Sequence, residues 1–198
     1  MKTRNLILLA AFIWVALSAF APNAKNEYKA NKEESKIEWL GKKVTGEHNG
    51  HITLKDGTLE MEDGKLVGGE FVIDMTSITN EDLKDEEYNA KLVGHLKSDD
   101  FFGVETYPTA SFVITEVSQK SNTKYDIKGD LTIKGKTHAI EFPAEIVMLD
   151  DQVVSTATII IDRSKYDVKY GSGSFFDGLG DKMIYDDFEL SVRLVANK

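Results

Sequence analysis

"YDIKGDLTIKGKTHAIEFPAEIVM", residues 125–148, settles the fold class. Tyr125, Ile127, Leu131 and Ile133 alternate with Asp126, Lys128, Asp130 and Lys134, and a turn at Gly135-Lys136 follows. His138, Ile140, Phe142, Ala144, Ile146 and Met148 then share one side. A period of two means extended strands with one face to bury and one to solvate. Upstream the same rhythm gives Ile37 and Trp39, then Ile52 and Leu54, Leu59 and Met61, and Phe71, Ile73 and Met75. Asp56-Gly57 and Asp63-Gly64 fall between those runs and read as hairpin turns, since Asp-Gly tolerates the positive φ of tight turns. "ASFVITEV" adds Phe112 and Ile114, and the closing "MIYDDFELSVRLVA" aligns Phe188, Leu190, Val192 and Leu194. "VVSTATIIID" (153–162) is a strand whose inward face stays open, because both registers are apolar at its end. About eight antiparallel strands with frequent turns mean a sandwich or a barrel. The one-sided strands favour a barrel, which leaves no exposed sheet edge. Periodicity leaves open whether the interior is filled or hollow.

Two stretches break the rhythm. "NEDLKDEEYNAKLVGHLKS" (80–98) spaces Leu83, Tyr88, Leu92 and Leu96 at helical intervals, with acids first and His95 and Lys97 last. That charge order suits the helix dipole and predicts one helix over 85–97, its end weakened by Gly94. In "SDDFFGVETYP" (98–108), Asp99 or Asp100 can cap a short turn that swings Phe101 and Phe102 against an apolar opening. Tyr107-Pro108 then holds the chain extended where strands resume. The second break, "KYGSGSFFDGLGDK" (169–182), is a glycine-rich loop carrying Phe175 and Phe176.

At the N-terminus Lys2 and Arg4 precede an apolar run from Leu6 to Ala21, followed by small residues and Pro22. This is the order of a secretory signal peptide, and the run falls short of the roughly 20 residues a spanning helix needs. The expected division is a signal peptide over 1–22, a disordered linker over 23–34 and one barrel domain over 35–197, leaving no transmembrane segment in the mature chain. The destination is then the periplasm or the medium. The chain carries a net charge of −9, which becomes −11 once Lys2 and Arg4 are removed, so nucleic acid is not expected as a partner. It has no cysteine, which excludes disulfides, thiol catalysis and thiolate metal sites.

Other chemistry is weak. His48 and His51 in "EHNGH" would point to opposite faces of an extended segment and fall short of a zinc ligand set, so a solvated turn is expected and no metal. The pairs Asp99-Asp100, Asp150-Asp151 and Asp186-Asp187 read as solvated turn and strand-end charges. No nucleophile-and-base arrangement, phosphate loop or dinucleotide fingerprint appears, so no catalytic residue is assigned and no enzyme is expected. Arg163 in "IDRS" is a candidate for gripping a polar headgroup, or for pairing with Asp186 or Asp187 at the barrel rim.

Four blocks, "GHLKSDDFFGVETYPTASF", "YDIKGDLTIKGKTHAIEFPAEI", "IDRSKYDV" and "DDFELSVRLVA", resemble in their order the YceI-like, polyisoprenoid-binding, lipocalin-like proteins. The resemblance runs from Ser35 to Ala196. It implies an eight-stranded antiparallel barrel with a helical segment over one end and a long apolar tunnel holding an isoprenoid or quinone-like chain. It also implies an exported protein whose relatives can pair as homodimers. On this reading the ligand is a lipid and no cofactor is needed. The candidate lining residues are Trp39, Ile52, Leu54, Phe71, Ile73, Met75, Phe112, Ile114, Tyr125, Ile127, Leu131, Ile133, Ile140, Phe142, Phe188, Leu190 and Val192. Leu92, Leu96, Phe101 and Phe102 form the expected lid. The competing expectation is an envelope stress or protein-interaction module with a side-chain-filled barrel and a partner surface at Phe175-Phe176.

Overall fold

Alternating side chains become wall and lumen in a computed structural model that describes residues 25–198. The strands are β1 (Asn26–Ala30), β2 (Lys36–Lys43), β3 (Gly46–Glu62), β4 (Lys65–Asp74), β5 (Thr109–Gln119), β6 (Lys124–Ile133), β7 (Lys136–Leu149), β8 (Gln152–Asp162) and β9 (Ile184–Asn197). β2 through β9 pair antiparallel, each with the next, and β9 returns to β2, which closes an eight-stranded barrel. The signal-peptide assignment lies outside the described residues. Among the described residues no helix is long and apolar enough to cross a membrane.

The ninth strand corrects the linker expected over 23–34. β1 pairs with β3 (Tyr28 opposite Leu59) and with β9 (Ala30 opposite Ala196), filling the wall below β2. β1 and β2 thus act as one stave broken at 31–35. Ser35 bridges the break, its hydroxyl donating to the Val195 carbonyl at 3.3 Å and accepting from the Val195 amide at 3.0 Å. The composition of 23–34 is polar because β1 offers only Tyr28 and Ala30 to the interior, too short a pattern to register as a strand.

Asp56-Gly57 is not a turn. It lies inside the 17-residue β3, at a register shift between Leu54 and Asp56, where a bulge bends the strand. Hairpins form instead at Asp63-Gly64 (φ 49° and 74°) and Lys134-Gly135 (φ 50° and 71°), the latter one residue earlier than expected. Both have the twin positive φ of the tight turns that match strand twist.

The helix appears as α1 (Glu86–Lys97), with Asp85 accepting from the amides of Glu87 and Tyr88 at 3.0 and 3.1 Å. After it, the backbone carbonyls of Leu96, Lys97 and Ser98 close the 98–107 turn by accepting from Phe102, Val104, Phe101 and Gly103. Those carbonyls, rather than Asp99 or Asp100, do the capping. The segment between β4 and α1 is strapped across β3, with Thr79 N donating to His51 O at 3.0 Å and Glu81 N to Asn49 O at 2.9 Å. His48 and His51 therefore lie on a strand rather than in a solvated turn, and pair separately with Asp82 and Glu81, each at 2.8 Å.

Candidate functional site

The inward stripe surrounds a void. Its volume is about 240 Å³, and its wall is almost wholly aliphatic and aromatic. Phe71, Phe112, Ile140, Phe188, Leu190 and Val192 pack on the core yet keep part of their surface uncovered, because the lumen does not fill. A barrel of eight strands has just the width at which side chains either meet or leave room for one small ligand. Here room is left.

Two glycines help to keep it open. Gly57 lies opposite Phe71, and a β-carbon there would stand 2.5 Å from the ring's Cδ1. One at Gly129 would stand 2.5 Å from Cε2 of Phe112. Both rings therefore lie back against bare backbone of the neighbouring strand instead of projecting across the lumen.

Of the residues assigned to the lining from sequence, Trp39, Ile52, Leu54, Phe71, Ile73, Met75, Phe112, Ile114, Ile127, Leu131, Ile133, Ile140, Phe142, Phe188, Leu190 and Val192 do border the void. Tyr125 does not. It faces inward at 3% exposure but lies below the void, its hydroxyl accepting from Gln119 Nε2 at 3.1 Å. The wall also includes residues that sequence reasoning left out, among them Ile37, Leu59, Leu66, Ile78, Ile146, Ile184 and Leu194. Ile37, Leu59, Ile146 and Leu194 already sat in the alternating stripes; Ile78 and Ile184 lie where the rhythm breaks, with no signal to find them. β8 turns Ser155, Ala157, Ile159 and Ile161 inward and leaves Ile160 exposed. Its run of three isoleucines hides that choice; pairing of Ile161 with Phe188 and Ile159 with Leu190 on β9 makes it.

One end of the void is covered by α1 and the turn after it. Leu96, Phe101 and Phe102 border the void, whereas Leu92, expected in the lid, does not. An aromatic series runs from surface to lumen. Tyr170 meets His95 at 4.4 Å and Phe101 at 5.7 Å, Phe101 meets Phe102 at 6.1 Å, and Phe102 meets Phe188 at 6.4 Å. Lys134 of the β6–β7 hairpin fastens this cover, donating to the carbonyls of Asp99 at 2.8 Å and Phe101 at 2.9 Å.

Arg163 touches the void, but its guanidinium is committed to the protein rather than to a headgroup. Its guanidinium gives Nε–H to Tyr185 O (3.1 Å), Nη1 to Val168 O and Tyr170 O (both 2.9 Å), and Nη2 to Ile184 O (3.1 Å). Nη2 also lies 3.4 Å from Asp186 Oδ1, an ion pair without a hydrogen bond. With four of its five donors spent on backbone carbonyls and its charge paired with Asp186, the group works as a clamp on the loop between β8 and β9, and the headgroup assignment gives way to the rim pairing with Asp186. Burial lowers its pKa and the carboxylates of Asp186 and Asp162 raise it. Phe175 and Phe176 stand out from the same loop, 43% and 49% exposed.

The described residues hold no group of three His, Asp or Glu side chains placed to share a metal. What the barrel offers chemically is an apolar wall, a void and a cover.

A family model described as a YceI-like domain matches residues 28–196. The chain belongs to the YceI family. A UPF0312 protein of Vibrio cholerae is 37% identical over 149 residues, covering 74% of each chain. One from Photorhabdus laumondii is 45% identical over 53 residues, 27% of each. Among solved structures, BcnA of Burkholderia cenocepacia superposes with a TM-score of 0.68 at 24% identity, over 85% of this chain and 99% of BcnA. A polyisoprenoid-binding domain from Saccharophagus degradans gives 0.61 at 14% identity, over 86% and 97%. At these identities the two structures establish a shared YceI-like fold.

Proposed function

We propose that this YceI-like barrel is a non-catalytic binding protein that holds the chain of a slender apolar lipid, an isoprenoid or quinone-like tail, for transport, storage or sequestration. The observation that carries the reading is the apolar void, bordered by the stripes of all eight barrel strands and covered by Phe101 and Phe102. The polyisoprenoid-binding relative supports it.

The magnitude shapes the ligand. A void of about 150 Å³ with a similar wall takes up benzene, so 240 Å³ holds on the order of ten carbons. Ten methylenes gain about 8 kcal/mol on burial, little more than the ordering cost of association. Useful affinity therefore needs a longer chain, part of it seated where Leu96, Phe101 and Phe102 now lie. Arg163 is committed as a clamp, so selection works through length and cross-section.

Export fits this role: the charged, apolar and small-residue order of 1–22 would deliver the barrel to the periplasm or the medium, where lipid chains need a water-excluding container. Purification from the native host, organic extraction and mass spectrometry test the ligand. One lipid chain per barrel supports the carrier; absence of lipid, with purified isoprenoids also failing to bind, refutes it and shifts attention to Phe175 and Phe176 as a partner surface. N-terminal sequencing of the mature protein tests the export.

A further inference from the structure

The void stops short of one end of the barrel, where buried side chains fill the interior. On β3, β4, β6, β7 and β9, Leu59, Leu66, Ile127, Ile146 and Leu194 border the void. Toward the far end, Tyr28, Met61, Tyr125, Val153 and Ala196 face inward, are buried, and do not border the void. Three of these side chains are long: Tyr125, paired with the small Ala144 across β6–β7, Met61, and Tyr28 of β1, the strand whose only inward residues are Tyr28 and Ala30. Alternation of large and small across facing positions is how a layer closes without gaps. At the opposite end the cover is a turn and a helix with no buried residue of its own.

We infer that Tyr28, Met61 and Tyr125 form a floor that measures the ligand, so that the barrel takes an apolar chain from the α1 end and selects it by length. This rests on the lipid-binding reading above. While a chain grows toward the floor, each added methylene raises affinity about fourfold. After it touches the floor, further carbons are left outside and the gain ceases. In the natural protein the break falls at about ten to fifteen carbons, set by the size of the void and the room under the cover.

The test titrates the full-length protein with primary n-alkanols of about eight to about twenty carbons, read by displacement of the dye 1-anilinonaphthalene-8-sulfonate. Affinity is expected to climb and then level. Met61→Ala and Tyr125→Leu deepen the floor and move the break to longer chains. Ala157→Phe, which fills the void from its wall, moves it to shorter ones and keeps the test alive should a floor variant fail to fold. An unbroken climb through the whole series, or a break that stays put in all folded variants, overturns the floor while leaving lipid binding intact. No binding by any alkanol overturns the lipid-binding reading and the floor with it.

Discussion

Gly50 on β3 bears the strap that joins the barrel wall to α1, and Gly50→Ala is the sharpest test of that arrangement. A β-carbon at this position would overlap the Thr79 carbonyl oxygen and lie 2.8 Å from its carbon and 2.9 Å from Asn80 Cα. All three are backbone atoms and cannot turn aside. To restore ordinary contact the strap must retreat by about 1 Å or more, which takes hydrogen bonds near 3.0 Å out of range. Five are at risk: Thr79 N to His51 O, Glu81 N and Asn80 Nδ2 to Asn49 O, Asn49 N to Asp82 Oδ1, and Trp39 Nε1 to Thr79 O. At about 1 kcal/mol each, less about 0.4–1 kcal/mol gained from a stiffer unfolded chain, the expected loss is about 4–5 kcal/mol. Urea unfolding followed by circular dichroism and by Trp39 fluorescence would show it as a lower midpoint at unchanged slope, with the Trp39 emission of the folded state altered by loss of its indole hydrogen bond. A loss below about 1 kcal/mol with native Trp39 emission would refute the reasoning, since it would mean the strap sits on β3 without being held there.

Arg163→Lys replaces a fork of five donors by one ammonium group and strands carbonyls at Val168, Tyr170, Ile184 and Tyr185. A loss of about 3 kcal/mol or more is expected, with faster amide exchange at Ser172 and Ile184; an unchanged alkanol affinity in the folded variant would confirm that Arg163 is a clamp and not a headgroup ligand. For Asp82, burial acts to raise the pKa. The Asn49 amide, His48 and Asn80 outweigh it and bring the carboxyl from 3.8 down to about 2. Because the folded value lies below the unfolded one, this stabilisation is complete above about pH 4 and disappears as pH falls toward 2, amounting to about 2 kcal/mol. Asp82→Asn should lose that much at pH 7 and flatten the acid limb of the stability curve, measured by urea titration from pH 7 to 2. Gly129→Ala forces the Phe112 ring off the wall and into the lumen, so alkanol affinity should drop at least tenfold, about 1.4 kcal/mol; an unchanged titration would show that the rings do not limit the void.

The period of two between Ile37 and Leu194 fixed, before any coordinates, which residues form strands and which of them share a face. That property is local: successive side chains on an extended backbone must point opposite ways, whatever the strand later pairs with. It placed sixteen lining residues and put Phe101 and Phe102 over an opening. The misses have one physical cause, that the deciding partner is distant in sequence. Asp56-Gly57 carries the same local signal as Asp63-Gly64, but it bulges within a strand because Phe71 lies against it. β1 is a strand only because β3 and β9 leave a gap it can fill. The face of β8 is decided by β9 and the fate of Arg163 by four carbonyls that chain folding brings to it. Whether the lumen would be hollow was beyond sequence altogether, since its volume is a small difference between the space eight strands enclose and the space their side chains occupy. That difference depends on bulges, on rings laid against Gly57 and Gly129, and on the level at which Tyr28, Met61 and Tyr125 close the barrel.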